Sequence, residues 1–307
     1  NKRSSRLLAL ALSLVLSLSL SLPALAAGED GIIYIHTAKD LCALSDSCAY
    51  DAWSRGKTVL LTADISLRGV DFEPIASFSG TFNGGGHTIS GLTLTKSLSP
   101  AGLFLTLERG AFVHALKVEG QVTPGGTKEA VGGIVGRTGS IPTGIYLENC
   151  ANHASVKNTD SKGVGGIVGA GWSEGAIVNC YNTGSVTTGY ACPAGGICGS
   201  NGGLDIYNCY NVGTIDSSGN QRGRAIGGHN NGSYTVSDCY YLEGCDDDPA
   251  SNGWYSGTAL SCVVSVTAMS KADMRAQKLV DALNCNGAAY AAVQGSYPVL
   301  AWEAERS

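Results

Sequence analysis

Gly132-Gly133-Ile134-Val135-Gly136, Gly165-Gly166-Ile167-Val168-Gly169 and Gly195-Gly196-Ile197-Cys198-Gly199 are three copies of one phrase, and Arg224-Ala225-Ile226-Gly227 is a fainter fourth. Each copy is followed by a second signature that ends in cysteine: Asn149-Cys150, Asn179-Cys180, Asn208-Cys209 and Asp238-Cys239. These cysteines lie 30, 29 and 30 residues apart. Three residues before each stands Leu147, Ile177, Ile206 or Val236, and six after it Val156, Val186, Ile215 or Cys245. A fixed period of this length marks a solenoid, because a β-sandwich has no need of one.

Each copy therefore holds about three short apolar strands separated by Gly or Asn. A lone strand cannot bury its apolar face, and its backbone groups would lack partners. Stacking the copies solves both problems: each strand pairs in parallel with its equivalent ~4.8 Å along the axis. The fold class expected is all-β, a right-handed parallel β-helix. The paired glycines are read as tight corners, and Asn at the corners as left-handed residues that bond to their equivalents in the next coil. Composition agrees, with 43 Gly and only 15% charged residues.

The ends differ from the repeats. Lys2, Arg3 and Arg6 precede the apolar run Leu7 to Leu22, which Pro23 and Ala24-Leu25-Ala26 terminate. Residues 1–26 read as a secretory signal peptide, so the chain is expected outside the cell or on its surface, not inserted in the membrane. Its removal leaves 17 cations against 25 acids, a balance that speaks against nucleic acid as partner. Residues 27–70 are expected to cap the first coil, with a short helix opening at Thr37. Residues 71–245 form the repeats. Residues 246–307 form a second cap, with a helix over about 270–283 and a closing strand over about 296–302.

Phe82-Asn83-Gly84-Gly85-Gly86-His87-Thr88-Ile89-Ser90-Gly91-Leu92, then Gly102-Leu103-Phe104, then the Gly-Gly-Ile-Val-Gly and Asn-Cys-Tyr-Asn phrases closely resemble the GLUG-repeat proteins over roughly residues 60–245. These are bacterial surface and secreted proteins, and the repeat also occurs as an accessory region of some immunoglobulin A peptidases. The resemblance implies a β-helical surface region and carries over no catalytic residue. The His-Glu-x-x-His string of the peptidase part does not occur in this chain.

Candidate chemistry thins out once the repeat is in phase. Cys150, Cys180, Cys209 and Cys239 are expected as one inward ladder of free thiols, with Cys198 and Cys245 also at core positions. Two pairs are candidates for a disulfide, Cys42–Cys48 beside the first helix and Cys262–Cys285 in the C-terminal cap. Gly171-Trp172-Ser173-Glu174-Gly175 matches a hydrolase elbow but falls between two coils. Asn158-Thr159-Asp160 and Asp246-Asp247-Asp248 lie some three coils apart, roughly 14 Å, too far to flank one glycosidic bond. His87 and His229 read as turn residues, and no metal or cofactor is expected. Tyr181, Tyr210 and Tyr240 each follow a ladder cysteine, so they should point outward as an aromatic strip. That strip is the candidate contact surface for a glycan or a surface protein. The expected function is a noncatalytic adhesin-like or spacer protein; the alternative is a carbohydrate-active β-helix enzyme.

Overall fold

The computed structural model describes residues 25, 27–49, 53–126, 128–139, 144–189, 192–218, 223–230, 232–246, 253 and 261–306, without the side chains of 230 and 261–263. Nearly all of the expected signal peptide lies outside these residues, as do Asp247 and Asp248. The chain forms a right-handed parallel β-helix. A 16-stranded sheet supplies one long face, and sheets of six and four strands close the coil. Equivalent positions meet in register: Leu147 pairs with Val113 and Ile177, Ile177 with Ile206, and Ile206 with Val236. The repeat period is thus the circumference of a coil, and its inward positions form a continuous apolar core.

Two corners show why these residue types recur. The residue before each ladder cysteine is left-handed, with φ of 53° at Asn149, 52° at Asn179, 54° at Asn208 and 54° at Asp238. Asn and Asp tolerate this conformation better than other residues with a Cβ. At the next corner Asn152, Asn182 and Asn211 are fully buried and bonded in series. Asn152 Nδ2 donates to Asn182 Oδ1 at 2.8 Å, and Asn182 Nδ2 to Asn211 Oδ1 at 2.8 Å. Each Nδ2 also donates to a backbone carbonyl two residues on.

The paired glycines do not serve as left-handed turns. None of Gly132, Gly133, Gly165, Gly166, Gly195 or Gly196 has positive φ. Their role is close approach across the coil. A Cβ on Gly133 would stand 2.3 Å from Asn152 Oδ1, and one on Gly166 would stand 2.4 Å from Asn182 Cγ. The glycine column and the asparagine ladder therefore require each other.

The N-terminal segment caps and also begins the stack. Helix α1 (Ala38–Ser47) is closed by a capping box between Thr37 and Asp40 and buries Leu41 and Leu44. The strand before it, Ile32–Ile35, already pairs with Thr58–Leu61, so the first coil lies within residues 27–70.

The C-terminal segment departs further from expectation. Strand Ser261–Met269 adds the last rung on Ser233–Leu242. The expected single helix is two, α2 (Lys271–Met274) and α3 (Gln277–Leu283), broken at Arg275-Ala276. The closing strand is only Val299–Leu300, antiparallel to Tyr290–Ala291, and α4 (Ala301–Ala304) follows. Beyond its last rung this segment runs back along the side of the solenoid. Met274, Leu279, Leu283, Tyr290 and Leu300 pack on Ala151, Tyr181 and Tyr210. Trp302 Nε1 donates to Asn149 O at 3.2 Å, and Arg306 reaches Gly86 O and Asp64. From the last rung to the strand holding Gly86 is six pairings, roughly 29 Å at the usual spacing. The segment is a strap.

Candidate functional site

Tyr181 and Tyr210 do point outward from their strands, and they stack at 4.9 Å between ring centroids with 1° between planes. They are not a contact surface for an external partner, because the strap covers them. Tyr181 is 1% exposed and Tyr210 0%. The Tyr181 hydroxyl donates to Glu303 Oε2 at 2.8 Å and that of Tyr210 to Pro298 O. Tyr240 is half-buried at the edge of the same cluster. Amphipathic rings exposed in a row offered apolar area, and the chain's own C-terminus covers it. Glu303 also pairs with Lys117 at 3.2 Å, which ties strap to solenoid through a shielded charge.

The four ladder cysteines are fully buried free thiols. Cys150 N–H donates to Cys180 Sγ at 3.4 Å, and Cys180 N–H to Cys209 Sγ at 3.4 Å. Burial pushes the thiols of Cys150, Cys180 and Cys209 far above their ordinary range, and those of Cys198 and Cys245 up to about 12. Thiols held neutral are poor nucleophiles and metal ligands. The candidate pair Cys42 and Cys48 is not joined, and both are free. Six residues of helical rise set their Cα atoms ~9 Å apart, beyond the reach of a disulfide. Cys285 is exposed; the Cys262 side chain lies outside the described residues, so that pairing has no geometry.

The hydrolase-like elbow joins two strands, Val168–Gly171 and Gly175–Val178, where a nucleophile elbow joins a strand to a helix. Ser173 is 2% exposed and its Oγ has no hydrogen-bond partner, hence no base. Asp160 is exposed in an Asx turn on Asn158. Asp246 pairs with Ile215 and accepts from Ala225 N–H at 3.0 Å, three rungs from the strand before Asp160. His87 Nδ1 lies 3.1 Å from Asp64 and contacts Arg306, so it belongs to the clasp of the strap. His229 sits in strand Gly227–Asn230. Among the described residues no three His, Cys, Asp or Glu gather as a metal site.

Among the described residues three surface depressions stand out, and one combines size with charge. A groove of about 560 Å³ lies between the left-handed corner residues Asn149, Asn179, Asn208 and Asp238 and the strap at Asn286–Ala289. A shallower one of about 500 Å³ lies at Gly125 and Lys157. The third, of about 680 Å³, is a notch lined by Arg55, Lys57, Thr58, Thr81, Glu108 and Arg109. Its origin is a difference in turn length. Between paired sheet positions the middle coil spends two residues, Ser79-Gly80, where the next coil spends four, Glu108 to Ala111. Gly80 is required there, since a Cβ would stand 2.4 Å from Ser54 O and 2.6 Å from Lys57 O. The short turn leaves a gap between two protruding turns, each tipped by an arginine and a glycine. Single residues gave no hint of this site; a comparison of turn lengths between degenerate coils would have shown it.

Fold and surface together define a solenoid repeat protein with a strapped flank and a basic notch near its N-terminal end. No family model matches the chain. Halomucin of Haloquadratum walsbyi is 30% identical over 156 residues, which is 46% of this chain and 2% of Halomucin. This chain therefore corresponds to a small part of that relative. Among solved structures, a proposed immunoglobulin A1 protease from Bacteroides ovatus superposes with a TM-score of 0.57 at 17% identity, over 90% of this chain and 94% of that one. At this identity the likeness is one of fold.

Proposed function

We propose that this chain is an exported, surface-associated repeat scaffold of the GLUG type that binds ligand on its outer faces and performs no catalysis. The observation that carries the reading is the fate of the reactive groups. The ladder thiols are buried in the core, Ser173 is buried without a base, and Asp160 and Asp246 lie on separate rungs. What the solenoid leaves outward is shape, hydrogen-bonding side chains and charge, which suit recognition. The partial likeness to Halomucin and the shared fold with the Bacteroides protein support a setting at or beyond the cell surface. The leader-like residues 1–26 support export.

The test is direct. The purified chain is incubated with immunoglobulin A and with a panel of plant, host and microbial polysaccharides. The expected outcome is retention of intact ligand on the protein without new reducing ends or cleaved heavy chain. Turnover of any of these substrates would replace the scaffold reading with an enzymatic one.

A further inference from the structure

We propose that the notch at Arg55 and Arg109 is a binding site for a carboxylated sugar, a uronic or sialic acid unit of a glycan. The inference rests on the scaffold reading above and names the ligand class at one place on it.

The first argument is charge. The chain carries 20 Lys and Arg against 25 Asp and Glu, yet this notch gathers Arg55, Lys57 and Arg109 against Glu108 alone. Lys57 is already engaged, its Nζ over the Trp53 ring at 4.7 Å and donating to Trp53 O. Arg55 and Arg109 are exposed, and among the described residues neither makes an ion pair or a hydrogen bond. Two unengaged guanidinium groups at the mouth of one depression present planar donor forks, the geometry that pairs with a carboxylate in two parallel bonds.

The second argument is spacing. Turn Ser54–Lys57 and turn Glu108–Ala111 are each closed by a backbone bond and occupy coils two rungs apart, ~9.6 Å, with the short Ser79-Gly80 turn between them. A gap of this width admits a single sugar ring between the two arginines.

The third argument is what lies beside the charge. The outward column Thr58, Thr81, Phe112 and Tyr146 runs in register from the floor of the notch along the long face. The two threonines offer hydroxyls to a sugar. Phe112 stacks with His114 at 4.5 Å and 16°, and Tyr146 is 49% exposed. Aromatic faces next to hydroxyl and guanidinium donors match a ligand with apolar ring faces, hydroxyl edges and one carboxylate. A polyanion such as nucleic acid would meet the acidic remainder of the surface.

Full-chain protein is titrated by calorimetry with a short galacturonic acid oligomer, its carboxyl-reduced galactose counterpart, a sulfated counterpart and sialyllactose. Binding of the galacturonate or sialyllactose is expected, weakened at least tenfold by Arg55→Ala or by Arg109→Ala and less by Arg109→Lys, which keeps charge but loses the fork. Both arginines are exposed, so unchanged thermal unfolding of the variants is the companion readout. Equal binding of the carboxyl-reduced oligomer, or indifference to both arginine changes, overturns the notch assignment and leaves the scaffold reading intact. Preference for the sulfated oligomer overturns the carboxylate in favour of sulfate. Cleavage of any oligomer overturns the scaffold reading itself.

Discussion

Asn182 shows how much a single side chain does in this fold. Its Nδ2 donates to Asn211 and to Gly184 O, and its Oδ1 accepts from Asn152, all without contact with water. Asn182→Ala removes these bonds and leaves one N–H of Asn152 Nδ2 without an acceptor, while its bond to Ala154 O remains. A buried unsatisfied group costs about 1–3 kcal/mol, so we expect a loss of about 2–4 kcal/mol in chemical denaturation. A variant as stable as the parent would show that the ladder contributes nothing. The thiols make a second residue-scale prediction. Cys150, Cys180, Cys209 and Cys239 should resist a thiol reagent in the folded protein, while Cys285 reacts. After denaturation without reductant all four should titrate together with the buried Cys48, Cys192, Cys198 and Cys245; fewer than eight new free thiols would indicate disulfides among them.

At the scale of the element, the strap is the unexpected part. Its contacts with Tyr181 and Tyr210 join residues more than eighty positions apart in sequence. Trp302→Ala removes the indole from Gly86 and Asn149 O, and we expect a cost of about 1–3 kcal/mol with faster hydrogen exchange over 290–306. Undiminished protection there would mean that Trp302 does not fasten the segment. The strap also sets a pH dependence. His153 lies against Tyr181, and burial first, then Lys117, holds its imidazole below the ordinary range. His114 is lowered too, chiefly by burial. The folded state therefore rejects a proton that the unfolded chain binds below about pH 6.5. Stability from these groups is fully present above that pH and is lost as pH falls below it. His153→Gln should flatten the slope of stability between about pH 7 and 5, and an unchanged slope would assign the dependence elsewhere.

At the scale of the molecule, a solenoid holds itself together through neighbours only, so its coils can open separately. The strap changes that, since one segment bridges from the last rung to the clasp of Asp64, His87 and Arg306 near the first. We expect a single unfolding transition for the full chain. The double variant Tyr290→Ala/Trp302→Ala should broaden or split it, as followed by circular dichroism and tyrosine fluorescence. A transition that keeps its width would mean that the coils are coupled without the strap.

The period, the parallel stack and the inward positions were legible in the sequence alone. They follow from local rules: alternation sends Tyr181 outward after an inward Cys180, and the left-handed corner at Asn149 lets both Leu147 and Cys150 face inward, wherever the rest of the chain lies. Whether outward means solvent is not a local matter. Tertiary structure decided that Tyr181 and Tyr210 face the strap, because the covering residues come from the far end of the chain. It likewise decided that the paired glycines make room for asparagine, a contact across the coil that no stretch of neighbours displays. The notch also belongs to tertiary structure, since Arg55 and Arg109 become partners only when a turn two residues shorter is stacked between theirs.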